Sequence, residues 1–156
     1  MKAFKFKLET VLTLREKAEN EARQHHAAAG RRLEAVIAEL NEGEEEQKRL
    51  TEQLEGMQRS SFRPAEREIF WNALNYQKEM CARLAVKVEN ARKDVEQKLQ
   101  VLLDARQEHE AMMKIQEKDL QEYNREAERQ ERAMIDDIVT ARHSSTQRQG
   151  RGKGET

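Results

Sequence analysis

The sequence holds one cysteine, one proline and few aromatic residues, and each shortage excludes something. Four phenylalanines, two tyrosines and one tryptophan among 156 residues are too few large side chains for a compact core. The single cysteine, Cys81, rules out an intrachain disulfide and fits a reducing compartment. With only Pro64 to break it and six glycines, the chain also lacks the composition of a disordered one. No stretch approaches the roughly 20 consecutive apolar residues of a transmembrane helix. Charge of one sign is missing too. The 29 basic and 30 acidic residues leave a net charge of −1, so no broad field draws the chain to nucleic acid or a membrane surface. Residues 1–8, MKAFKFKL, carry the positive charge of a signal peptide without its apolar segment or cleavage site, so a cytoplasmic location is expected. A glycine-rich phosphate loop, a nucleophile elbow and paired cysteines are all absent from the sequence. The expectation is therefore a protein that is not an enzyme and needs neither cofactor nor metal.

What is present is charge, at 38% of residues, and an abundance of Ala, Glu, Gln, Arg, Lys and Leu, the strong helix formers. Mean hydropathy is −1.05. Such a chain buries a narrow stripe along long helices. One stripe of alternating three- and four-residue steps runs Leu8, Val11, Arg15, Ala18, Ala22, and another runs Ala29, Leu33, Val36, Leu40, Gly43, Gln47, Leu50, Leu54, Met57. The steps between them, through His25, predict a stutter that unwinds the supercoil. Residues 58–64, QRSSFRP, then interrupt the pattern, because the residue before a proline is pushed out of the helical region and proline suits the first turn of a new helix. The second stripe runs from Leu74 through Cys81, Val88, Val95, Leu102 and His109 to Met112, with another stutter through Gln116 to Leu120, and continues to Met134 and Ile138. The reading is all-α: two long helices, residues 4–58 and 64–141, joined by a turn at 59–63 into an antiparallel coiled-coil hairpin. The second helix is longer. Residues of about 118–140 should overhang, and 143–156 should form a flexible tail.

Local features give few chemical leads. His25, His26 and His109 read as solvated or seam side chains, and Cys81 as a buried, inert thiol. The basic tail RQGRGKG has the composition of a frayed terminus, so no nucleic acid is expected as a partner. Two places favour protein partners. Phe62, Phe70, Trp71 and Tyr76 cluster near the turn, and Ile69, Phe70 and Trp71 are consecutive, so they cannot all face a two-helix seam. They either cap the hairpin tip or present an apolar patch. In the overhang, Leu120, Tyr123, Ala127, Met134 and Ile138 continue a stripe with no helix opposite.

The opening FKFKLETVLTLREKAENEA, residues 4–22, resembles the FliJ family of flagellar export proteins. The positions that carry the resemblance are Phe4, Phe6, Leu8, Leu12, Leu14, Arg15, Glu19 and Ala22, with ERQERAMIDDIVTAR at 128–142 similar to the family's ending. The resemblance implies a soluble component of the flagellar type III export apparatus, built like the two-helix stalk of a rotary ATPase. It would promote assembly and activity of the hexameric export ATPase, contact the export-gate membrane protein, and hand on export chaperones. It would sit in the cytoplasm at the flagellar base, peripheral to the inner membrane through its partners. The resemblance would place Phe4, Leu8, Leu12, Arg15, Met134, Ile138 and Arg142 at the ATPase ring, and Phe70, Trp71, Leu74 and Tyr76 at the gate or a chaperone. Alternatives are the equivalent stalk of a virulence type III secretion system, or a general coiled-coil chaperone or spacer.

Overall fold

The computed structural model describes residues 2–151. Two helices account for nearly all of them: α1, Glu9–Gln58, with 50 residues, and α2, Pro64–Arg151, with 88 residues. They form an antiparallel hairpin with α2 the longer helix. The break falls where the proline dictates. The Arg63 carbonyl accepts hydrogen bonds from Glu66 N at 3.1 Å and Arg67 N at 3.3 Å, so Pro64 takes the first helical position, where a missing N–H costs nothing. On the other side, Arg59 N and the Ser60 hydroxyl donate to the Gly56 carbonyl, closing α1.

The chain divides into two compact units, residues 16–107 and residues 1–15 with 108–156. In the first, the core next to the turn is Leu50, Leu54, Met57 and Leu74, with Phe70 and Ala73 packed against it. Further along, Ala22, Ala29, Cys81 and Val88 are buried. Gly43 is buried too, and its carbonyl accepts a hydrogen bond from Gln77 Nε2 at 3.2 Å. Arg32 meets Asp94 at 3.3 Å. Both pairings lie within about a helical turn of a fold about residue 61.

The seam of α1 differs from the sequence reading. Glu19 is buried while Ala18 is exposed, and His26 is half-buried while His25 is exposed. The steps Glu19, Ala22, His26, Ala29, Leu33 alternate three and four, so the expected stutter at His25 is not there. The reason is chemical: a carboxylate occupies a core position. Glu19 is tolerated because Arg23, one turn on, reaches it at 2.8 Å and leaves its side chain 11% exposed.

In the other unit, α1 begins at Glu9, not residue 4. Residues 2–6 are non-helical and Lys7–Leu8 form a turn, with Glu9 N donating to the Phe6 carbonyl at 3.3 Å. Phe4, Phe6 and Leu8 alternate with Lys5 and Lys7, a period of two that no helix face can use. Drawn out, the segment advances about 3.3 Å per residue instead of 1.5 Å. Phe6 and Leu12 are buried here, whereas Leu8 is 41% exposed. The second expected stutter is displaced: Met112, Gln116, Asp119, Tyr123 and Ala127 are half-buried and Leu120 is exposed, so an acidic residue again holds a seam position and the four-four step falls at Asp119, Tyr123 and Ala127. Residues 143–151 are helical, not a flexible tail, since nothing before Gly150 breaks the helix. Ser144 and Thr146 turn their hydroxyls back to the Thr140 and Arg142 carbonyls. The rest of the expected tail, 152–156, lies outside the described residues.

Candidate interaction surfaces

Near the turn, the four expected gate residues do not share a surface. Leu74 is 3% exposed and belongs to the core, and Phe70 packs on that core. Trp71 and Tyr76 are exposed but five positions apart, about 140° around the helix, so they flank the seam on opposite sides. Two smaller surfaces result. Trp71 lines a shallow hollow with Phe62, Pro64, Arg67 and Glu68. Ile69, 68% exposed, lies seven residues from Tyr76 and therefore on the same face. The tip is thus partly a cap and partly exposed: Phe70 performs the first role and Trp71 and Phe62 the second.

In the unit that holds the N-terminus, the segment Lys2–Lys7 lies along α2. The rings of Phe4 and Tyr123 are 5.5 Å apart and tilted by 54°, and the Tyr123 hydroxyl donates to the Lys2 carbonyl. Lys2, Lys5 and Lys7 border the same hollow as Asp119, Glu122 and Glu126, so opposite charges face each other across the strap. Arg15 reaches Glu108 at 2.5 Å. Of the residues expected at an ATPase ring, Leu12 is therefore core, Arg15 is engaged within the hairpin, and Phe4 is committed to Tyr123.

Beyond Ala127 every described side chain is exposed. Met134, Ile135, Ile138 and Val139, between 49% and 65% exposed, form one apolar face. Arg142 is exposed one turn beyond Ile138. Ile135 and Val139 were not singled out in the sequence, because a track that follows the seam passes Met134 and Ile138 and leaves them to one side. The opposite side is polar, with pairs such as Glu126–Arg129 at 3.9 Å within the helix.

Electrostatics elsewhere is that of a solvated surface. Arg49, hydrogen-bonded to Glu46 at 2.5 Å, holds its carboxyl below the ordinary value. A depressed carboxyl contributes stability above its unfolded value and loses it as pH falls through the folded one. Among the described residues no group of three or more His, Cys, Asp or Glu could hold a metal ion. No helix there is long and apolar enough to cross a membrane.

Comparison with known proteins locates this architecture. No curated protein matches the chain. The solved structure of a candidate YscO homologue from Chlamydia trachomatis superposes with a TM-score of 0.71, over 94% of this chain and 99% of that one. Identity is 21%, so the likeness is one of fold. The family described as flagellar FliJ protein matches residues 4–148, almost the whole described hairpin. The chain belongs to the FliJ family of flagellar type III export proteins.

Proposed function

We propose that this protein is the non-catalytic stalk of the flagellar export apparatus, which binds the hexameric export ATPase through residues 128–142 of α2. One observation carries this reading: the apolar face Met134, Ile135, Ile138, Val139 stands exposed on a helix that the family match includes. Large aliphatic side chains in a charged helix are costly to leave in water and serve as anchors in a partner's groove. Arg142 beside them would steer the face toward acidic groups on the ring. Phe4, Leu8, Leu12 and Arg15 contribute indirectly, by fixing the N-terminal segment and the hairpin against α2 below this face. The hollow of Trp71, Phe62 and Arg67 would serve the export gate or a chaperone, and association with the inner membrane would come through those partners.

The test is ATP hydrolysis by the cognate export ATPase as this protein is titrated in, with ring assembly followed by light scattering. Stimulation of both is expected, and the double variant Ile135→Ser, Val139→Ser should lose at least tenfold in half-maximal concentration while staying helical. Equal stimulation by the variant would move the contact elsewhere; no effect of the parent chain on either quantity would leave the chaperone or spacer reading. The fold shared with the candidate YscO homologue favours a second reading, the stalk of a virulence secretion system. Stimulation of an injectisome ATPase in preference to the flagellar one would select it.

A further inference from the structure

The same stretch of α2 is complementary to itself when reversed. Glu131, Ile135, Ile138 and Arg142 are spaced four, three and four, so they line one face, with Met134 and Val139 at its edges. Laid antiparallel on a second copy with position i opposite position 273 minus i, Ile135 meets Ile138 and Glu131 meets Arg142, while Met134 and Val139 flank the seam on its two sides. Each isoleucine then finds an isoleucine, and the two ends close with opposite charges, twice over by the two-fold symmetry. In the parallel arrangement Glu131 would face Glu131 and Arg142 would face Arg142, which is unfavourable at both ends. All six side chains are exposed.

We infer that the partner of this face in the free protein is a second copy of the chain, joined as an antiparallel dimer through residues 131–142. The contact is short, far below the size of a stable interface, so it is weak and reversible. Charge complementarity sets its direction and the four aliphatic residues supply its affinity. If the ring also binds here, as proposed above, dimer and ring-bound stalk exclude each other, and the ATPase would draw its stalk from a dimeric reserve. The inference needs no ATPase for its test, so it stands or falls apart from that reading.

Analytical ultracentrifugation of the full chain from about 5 to 500 µM is expected to show a monomer–dimer equilibrium. Glu131→Arg alone and Arg142→Glu alone should each weaken it about tenfold, since each turns two attractions into two repulsions. The double variant Glu131→Arg, Arg142→Glu should restore parental affinity. A chain monomeric throughout the range, or single variants that dimerise as well as the parent, would overturn the inference. Register is read separately in a Cys81→Ala background. Ile135→Cys and Ile138→Cys proteins, mixed and mildly oxidised, should give mainly the mixed disulfide; mainly like-with-like disulfides would overturn it, as a parallel pair predicts.

Discussion

Three glycines in α1 occupy two kinds of surroundings. A methyl group added at Gly30 or Gly56 meets nothing within 4 Å, whereas at Gly43 it would stand 3.1 Å from Cys81 Sγ and 3.2 Å from Gln77 Nε2. Glycine costs a helix about 1 kcal/mol relative to alanine. Gly30→Ala and Gly56→Ala should therefore each stabilise the protein by about 0.5–1 kcal/mol. Gly43→Ala should fall below both, because the buried thiol has little room to yield. Thermal melts by circular dichroism would check the order; three equal gains would mean the seam at Gly43 is looser than the packing implies. The two aromatic-region residues Leu74 and Trp71 differ in the same way. Leu74→Ala should cost about 2–4 kcal/mol by opening the core around Leu50 and Leu54. Trp71→Ala should cost under about 1 kcal/mol, because its side chain is half in water. Urea titration separates them, and a large loss at Trp71 would remove it from the candidate binding surfaces. From sequence these residues read alike, since hydrophobicity says that Leu74 and Trp71 want cover and spacing alone does not say which obtains it. Glu19 and Asp119 show the converse. Both hold seam positions, and apolar periodicity passes over a carboxylate: it sets a stutter at His25 where the steps of three and four are unbroken, and another at Gln116 that falls instead at Tyr123.

At the scale of elements, the two helices and the turn were legible because proline, helix-forming composition and a 3.5-residue stripe all point the same way. The N-terminal segment is not, because residues 4–8 hold no helix breaker and their alternation of period two is too short to stand out against the helical stripe that follows. Its hold on α2 rests on the Phe4–Tyr123 ring contact, the buried Phe6 and the charges of Lys2, Lys5 and Lys7 opposite Asp119, Glu122 and Glu126. Tyr123→Ala removes the ring and the hydroxyl that donates to the Lys2 carbonyl together. Limited trypsin digestion should then cut after Lys5 and Lys7 several-fold faster, while the helical signal of α1 and α2 stays unchanged. Added salt should accelerate cutting in the parent chain as well, because the facing charges are exposed and screened. Cleavage at the parental rate in Tyr123→Ala would mean that Phe6 alone anchors the segment. The final turns of α2 are hidden for a different reason: Ser144, Ser145 and Thr146 favour turns in general, but here their hydroxyls bond back to carbonyls of the same helix and leave it uninterrupted.

At the scale of the whole chain, burial is uneven, and stability must follow it. Residues buried against another part of the chain run from Phe6 to Val88, half-buried ones continue to Ala127, and from 128 onward each described residue is exposed. A helical stretch of roughly 20 residues without packing is marginal in water, since nucleation and propagation barely balance. The helix formers and ion pairs of 126–132 help by only a few tenths of a kcal/mol each. Amide hydrogen exchange on dilute monomer should therefore show slow exchange around Leu50, Leu54, Leu74 and Cys81 and fast exchange beyond about residue 128. Addition of the export ATPase should slow exchange from 128 to 142 and leave the turn region unchanged. Slow exchange from 128 to 142 in dilute protein without any partner would show that the free helix is already covered. The candidate surface would then have to be sought where the chain remains open, at Trp71 and Phe62. A surface with an intrinsically unstable helix behind it has a physical use. The stretch can adapt as it docks, and the ordering it undergoes lowers affinity without lowering specificity, which suits a contact that must be made and released repeatedly.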